Sequence, residues 1–238
     1  MPHRRFANFE QVLVFDLDDT LYLERDYVES GLRAVGAWAG RQCGIEGLAS
    51  VMLRLFRAGA RGHIFDEALA IVQQPFSSAL IARMLNVYRH HSPEISLSAD
   101  AARLLSRRPP HTGYAIITDG FLDAQKRKLR ALGLTRGAVD IAICTDRWGR
   151  AEWKPSTRAF DHVQSFFGLA ADRFVYVADN IAKDFIAPVK LGWNTVKIER
   201  QHRLTADRIA LGTTADRTIS SFDDLIAAEE FRTVRREG

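Results

Sequence analysis

A chain of 238 residues with 47% apolar and 26% charged residues has an ordinary globular composition, long enough for one large domain or a main domain with a smaller insertion. The formal net charge of +4 comes mostly from arginines scattered among acids rather than gathered in a basic block, which argues against a nucleic-acid partner. Apolar runs stay short of a membrane helix, the N-terminal MPHRRFANFE lacks a signal-peptide stretch, and Cys43 and Cys144 have no metal-ligand spacing; the expectation is a cytoplasmic protein with reduced thiols and no membrane partner.

The first predicted element is the run Val12, Leu13, Val14, Phe15, too short for a helix and rich in β-formers, which reads as a buried strand of a parallel sheet. Asp16, Asp18 and Asp19 follow at its end. Three carboxylates repel one another and resist burial unless a cation or a reaction needs them there. In an open α/β sheet the carboxyl ends of strands are where ligands bind. Asp16 and Asp18 are two apart, so on a continuing strand both face the same side. The physical reading is a hard-metal and phosphate site with one carboxylate free for chemistry.

Between Glu24 and His91 helical periodicity takes over, carried by Tyr27, Leu32, Val35 and Trp38, then Leu48, Met52, Leu55 and Phe56, then Phe65, Leu69 and Val72, and finally Leu80 to Tyr88. Glycines and Pro75 punctuate these helices and no β-rich segment interrupts them, so residues 23–91 are expected to form a helical bundle inserted into a core made of 1–22 and 92–238. Arg54, Arg57 and Arg61 recur on one helix face; a solvated face explains them better than an anion site does. His63, His90 and His91 read as surface residues, and Tyr22 and Arg25 lie where the chain leaves the core.

Ala99 to Arg107 reads as a helix stopped by Pro109-Pro110. The strand Gly113 to Ile117 then ends in Thr118-Asp119-Gly120, where a hydroxyl and a backbone freed by glycine suit contact with phosphate oxygens, although an ordinary βα turn has the same pattern. A helix follows from Asp123 to Leu132, then a short strand at Asp140 to Cys144. Lys154-Pro155 is read as the opening of a helix running through Phe160, Val163 and Phe167, with Pro155 in its first turn and Lys154 as a cation before it. The strand Phe174 to Ala178 runs into Asp179 and, five positions on, Asp184. Helix at Ala187 to Leu191, strand at Trp193 to Ile198, a short strand at Thr218-Ile219 and a helix from Phe222 complete the pattern, before a basic tail from Arg232 to Gly238. This alternation predicts a doubly wound, mostly parallel α/β sheet with one all-helical insertion.

Asp16-Leu17-Asp18-Asp19-Thr20 resembles the DxDxT motif of the haloacid dehalogenase-like (HAD) hydrolases, a superfamily dominated by Mg-dependent phosphatases. Thr118 after its strand, Lys154 followed by proline, and the acidic pair Asp179 and Asp184 resemble the other three motifs of that family, in the family's order; Ala178 stands where the family often has glycine. The resemblance implies that Asp16 is the nucleophile and Asp18 the general acid and base. It implies a Mg²⁺ cofactor on the Asp16 carboxylate, the Asp18 carbonyl and Asp179, with Asp184 in support, and phosphate binding by Thr118, Asp119 and Lys154. It further implies that the helical insertion is a cap that contacts the substrate. Family members that cleave carbon–halogen bonds lack an acid at the Asp18 position, and phosphonate-cleaving members use a cap lysine, whereas residues 24–91 contain no lysine. A small phosphate monoester, of the sugar phosphate or nucleotide class, is therefore the expected partner. Hydrolysis of another bond by the same fold, or a non-catalytic binding role, are the alternatives; intact Asp16, Asp18, Lys154 and Asp179 count against the latter.

Overall fold

The computed structural model describes residues 8–135, 137–204 and 214–227. The chain divides into two compact units, Met1–Glu24 with Ser96–Gly238, and Arg25–Ile95. Among the described residues no helix is long and apolar enough to cross a membrane.

The first unit is built on a parallel sheet of β1 (Gln11–Phe15), β2 (Thr112–Thr118), β3 (Ile141–Cys144), β4 (Phe174–Ala178), β5 (Asn194–Ile198) and β6 (Arg217–Ile219), in the order β3-β2-β1-β4-β5-β6. Parallel strands buried on both faces need continuous apolar runs, and Val12 to Phe15 and Tyr114 to Ile117 are fully buried. Val12 and Val14 point into a cluster with Phe160, Val163, Phe174 and Trp193, where the Phe174 and Trp193 rings stack 4.5 Å apart. Phe15 points to the other face, edge-on to Tyr114 and Phe222 at 5.6 and 5.7 Å. Burying a side chain such as Phe15 is worth about 2–3 kcal/mol, so each strand residue contributes to one of two cores.

The strand order reverses between β1 and β4, and there the carboxyl ends diverge into a crevice suited to ligands. Phe15 pairs with Ile116 on one side and Val177 on the other, so Asp16, Thr118 and Asp179 emerge within a residue of the same level. Register thus gathers three motifs that lie up to 163 positions apart in sequence.

Helices α5 (Ala99–Ser106), α6 (Leu122–Ala131), α7 (Arg158–Phe167), α8 (Ile186–Lys190) and α9 (Asp223–Ala227) complete this unit, following α1 (Glu24–Cys43), α2 (Leu48–Arg57), α3 (Ile64–Ile71) and α4 (Ser78–His90) in the chain. The basic tail from Arg232 lies outside the described residues. Lys154-Pro155, a cis peptide, does not open a helix: α7 starts at Arg158. The Lys154 N–H is held by Asp119 Oδ1 at 3.1 Å and Ser156 N by Trp153 O at 2.9 Å, so the segment is a turn tied to the site rather than a first helical turn.

In the second unit Leu69, Met52 and Met84 are fully buried, and Gly36 of α1 lies so close to Ala49 of α2 that a Cβ there would sit 2.4 Å from the Ala49 Cβ. Arg54, Arg57 and Arg61 are exposed, as a solvated face requires, and two of them are also engaged. Arg57 donates twice to Glu29, at 2.9 and 2.7 Å, and Arg61 caps the helix end through Phe56 O and Ala60 O. His91, expected at the surface, is buried with Nδ1 2.6 Å from Tyr88 O and its ring tilted against Tyr27. An aromatic ring with one satisfied polar edge packs readily in a small helical core.

Candidate active site

The Asp16 N–H extends the β1–β4 ladder to Val177 O at 2.9 Å, and the chain then turns away. Leu17 O accepts from Leu21 N at 3.0 Å, and Asp19 takes a left-handed φ of 52°, which an aspartate tolerates better than most residues. The strand therefore does not continue through Asp18, and the expected shared facing of Asp16 and Asp18 gives way to two separate environments. Asp19, buried, serves this turn: Oδ1 accepts from Glu24 N at 2.9 Å and Oδ2 from Leu204 N at 2.8 Å.

Asp16 meets Lys154, whose fully buried ammonium lies 2.6 Å from Asp16 Oδ1, 2.6 Å from Asp184 Oδ1 and 3.1 Å from Tyr176 Oη. Burial acts against the Lys154 charge, but Asp16 and Asp184 outweigh it and hold its pKa well above the ordinary value. Burial, with Asp184 and Asp18 nearby, pushes the Asp16 carboxyl up to about 7 despite the Lys154 charge. Burial and the charges of Asp16 and Asp184 push Asp179 higher, to about 8.

Asp18 is treated differently. Its Oδ1 accepts from Lys128 Nζ at 2.7 Å and from the Tyr22 hydroxyl, and its Oδ2 from Gln125 Nε2 at 2.9 Å. Burial alone would raise its pKa; Lys128, Tyr22 and Gln125 overcome that and hold it below the usual carboxylate range. Two neighbouring aspartates thus titrate in opposite directions because one shares its cation with a second carboxylate and the other does not.

Thr118 is buried, and its Oγ1 accepts from the same Gln125 amide at 2.5 Å. The hydroxyl expected to contact phosphate thus also anchors the side chain that holds Asp18. Asp119 lines the recess, but its carboxylate accepts from Thr145 Oγ1 at 2.8 Å, Lys154 N at 3.1 Å and Lys183 Nζ at 3.2 Å. Burial opposes its charge, while Lys154, Lys183 and the Thr145 bond more than compensate and keep its pKa low. The carboxylate thus ties down the Lys154 backbone and the Lys183 ammonium at the recess. Gly120 has φ 126° and a Cβ there would meet Gln125 at 3.1 Å, so glycine is needed for the turn.

The loop from Asp179 to Asp184 is closed on itself, with Asp184 N donating to Asn180 O at 3.0 Å and Asn180 N to Asp184 Oδ2 at 3.2 Å. Ligand oxygens of Asp16, Asp179 and Asp184 lie within 4.8 Å of one another. Asp179 Oδ2 is buried without a hydrogen-bond partner among the described residues. An unpartnered buried carboxylate oxygen facing two further carboxylates is costly by itself and is what a hard divalent cation satisfies, so the residues fit Mg²⁺.

Asp16, Asp18 and Asp179, with Glu24, Trp153 and Lys183, wall a recess of about 220 Å³ within the first unit. Sequence reasoning had not singled out Lys128, Gln125, Lys183 or Glu24. The signal for the first two was present: Ala124, Gln125, Lys128 and Leu129 form the buried stripe of α6, and a lysine and a glutamine on such a stripe require partners.

No protein-family model matches the chain. It is 28% identical over 195 residues to a glyceraldehyde 3-phosphate phosphatase of Methanocaldococcus jannaschii, covering 78% of this chain and 83% of that one. The magnesium-bound structure of YfnB from Bacillus subtilis, assigned to the HAD hydrolases, superposes with a TM-score of 0.62 at 15% identity, covering 92% of this chain and 98% of that one. A 2-haloacid dehalogenase from Pseudomonas syringae pv. Tomato gives 0.58 at 20% identity, covering 91% and 96%. The fold is that of the HAD-like hydrolases, and by itself it does not decide between phosphoester and carbon–halogen cleavage.

Proposed function

We propose that this chain, which has the fold of the HAD-like hydrolases and a phosphatase among its relatives, is a Mg²⁺-dependent phosphatase acting on a small phosphate monoester through an aspartyl-phosphate. The observation that carries the reading is the paired arrangement at the end of β1: Asp16 beside Lys154 and the Asp179–Asp184 pair, and Asp18 held apart by Lys128, Tyr22 and Gln125. Cleavage of a carbon–halogen bond has no use for a second acid held at this distance from the nucleophile, because a halide leaves without a proton. The dehalogenase likeness is therefore read as shared fold. The M. jannaschii relative makes a triose or other sugar phosphate the favoured substrate class, with nucleotides second.

Asp16 attacks phosphorus in line; the bond to the ester oxygen breaks as Asp18 delivers a proton to it. For this step Asp18 must carry a proton that Lys128 and Tyr22 work against, and the approaching phosphoryl dianion supplies the opposite pull by raising its pKa. In the second step Asp18, again the carboxylate that its partners favour, takes a proton from water as that water attacks phosphorus, and the bond from Asp16 breaks to release inorganic phosphate. Lys154 stays charged throughout, oriented by Asp184 and Tyr176, and offsets charge on the phosphoryl oxygens. Asp16, Asp179 and the Asp18 carbonyl, with Asp184 in support, would hold Mg²⁺, which when bound supplies the positive charge that lets these carboxylates ionise together beside a phosphate.

The test is hydrolysis of a panel of phosphate monoesters with and without Mg²⁺, with haloacids as the control class. Release of phosphate that is abolished by EDTA and restored by Mg²⁺ is expected. Full activity in EDTA, or halide release without phosphatase activity, overturns the reading.

A further inference from the structure

Most acids lining the recess are already engaged. Asp16 is paired with Lys154, Asp18 with Lys128, and Asp119 with Lys183, while Asp19 ties down the backbone of Glu24 and Leu204. Asp179 belongs to the candidate cation site. Glu24 differs from all of these: its carboxylate lines the recess, yet has neither a hydrogen-bond nor an ion-pair partner among the described residues. It is not there by slack. It is the first residue of α1, and the Asp19 carboxylate grips its N–H at 2.9 Å, which fixes where the side chain leaves the backbone.

Burial, then Asp18 and Asp19, push the Glu24 carboxyl up to about 7 against the pull of Lys128 and Lys183. The recess is negative by its lining, where Asp16, Asp18, Asp19, Asp119 and Asp179 stand with Glu24 against one lysine, Lys183. The cations Lys154 and Lys128 hold carboxylates of their own close by, at 2.6 and 2.7 Å. Lys183, the lysine on the recess wall, is likewise held, by Asp119 at 3.2 Å. A phosphoryl group drawn to Lys154 and the Asp16 nucleophile therefore leaves its alcohol portion facing more carboxylates than cations, and among the described residues each of these three lysines already holds a carboxylate. Hydroxyl donors on that alcohol would gain charge-assisted hydrogen bonds from Glu24, whereas a carboxylate or second phosphate would meet a like charge.

Resting on the phosphatase reading, we infer that Glu24 is a specificity-determining residue that selects phosphate esters of neutral, hydroxylated alcohols and rejects those bearing a second anionic group. Selection by this route is repulsive as much as attractive: the acid acts chiefly by what it excludes. The substrates in view are polyol and sugar monophosphates rather than phosphorylated hydroxy acids or bisphosphates.

The sharpest test compares glycerol 1-phosphate with 3-phosphoglycerate, which differ in a hydroxymethyl against a carboxylate, at pH 8, where Glu24 is mostly ionised. The ratio of their kcat/KM values is measured for the full chain with Mg²⁺ and for Glu24→Gln, which keeps the shape and the N–H held by Asp19. The wild type should favour glycerol 1-phosphate, and the variant should shrink that preference about threefold or more, the least expected for removing one like charge ~6 Å away across a hydrated gap. The change should lie mainly in a lower KM for 3-phosphoglycerate. Because a ratio within one preparation is read, partial misfolding of the variant does not imitate the effect. A preference that stays within twofold of the wild type, or grows, overturns the role of Glu24 while leaving the phosphatase reading intact. A wild type inactive on every ester, p-nitrophenyl phosphate included, overturns both.

Discussion

Raising the pH of the metal-free protein should weaken its fold, because the structure buries carboxyl groups that resist ionisation. Asp179 is raised from 3.8 to about 8, first by burial and then by Asp16 and Asp184. A carboxyl whose folded pKa exceeds its unfolded value retains a proton that the unfolded chain has lost, so its contribution to stability is present at low pH and disappears as pH rises through the folded value. At pH 5.5 the folded group is protonated and the unfolded one is not; at pH 8 that difference is nearly gone. At ~1.4 kcal/mol per pKa unit, the loss over this window is about 3 kcal/mol from Asp179 alone. Asp16, at about 7, acts in the same direction, but the two repel each other and their shares do not simply add. For a chain of this length the loss corresponds to a fall of about 6–12 °C in Tm. The assay is thermal unfolding in EDTA at pH 5.5 and pH 8, repeated with millimolar Mg²⁺. The expected result is a large fall between the two pH values in EDTA, a greater stabilisation by Mg²⁺ at pH 8 than at pH 5.5, and a flatter profile for Asp179→Asn. A metal-free Tm that is level or rising across the window, or equal stabilisation by Mg²⁺ at both pH values, would refute the argument.

Asp179→Ala should raise the Mg²⁺ concentration needed for half-maximal activity many-fold while circular dichroism shows a folded chain; an unchanged Mg²⁺ requirement would remove Asp179 from the cation site. Gly36→Ala should lower stability by about 1–2 kcal/mol in chemical denaturation although alanine is the better helix former, because the new methyl would meet Ala49 Cβ at 2.4 Å and its backbone at 2.7 Å. A stabilised variant would mean that α1 and α2 are not packed this closely. Arg57→Gln should lower the Tm by breaking the paired bonds to Glu29 and leave the order of preferred phosphate esters as it was; a changed order at unchanged Tm would make Arg57 a substrate contact instead.

What could be read in the sequence follows from how local each signal is. Val12 to Phe15 and Phe174 to Ala178 are short apolar runs closed by acids, and both became buried parallel strands with Asp16 and Asp179 at their ends. Lys154 carried no signal of its own in composition or periodicity; only its place after the other motifs marked it, and the structure puts it between Asp16 and Asp184. Pro155 misled because a proline suits a first helical turn, while the hydrogen bond from Lys154 N to Asp119, thirty-five positions away, decided the local conformation. His91 misled for a similar reason, and the reading of Arg57 as part of a solvated face, exposed as it is, missed its partner. Spacing shows which residues share a helix face, and it does not show that Glu29 on another helix awaits one of them or that an aromatic cluster encloses the other. Glu24 had no marker at all, since its meaning depends on every other acid in the recess having a partner or a cation site.

Asp18→Asn tests whether Asp16 carries the phosphoryl group. The amide keeps the nucleophile in place but cannot move a proton, so with p-nitrophenyl phosphate, whose leaving group scarcely needs one, the first step should survive better than the second. Mixing enzyme and substrate with Mg²⁺, quenching in acid and mapping the label by mass spectrometry should show a burst of nitrophenolate of at most one per active site, slow turnover, and a phosphoryl group on Asp16. A phosphoryl group on a serine or histidine, or an Asp18→Asn variant with undiminished turnover on alkyl phosphates, would contradict the account.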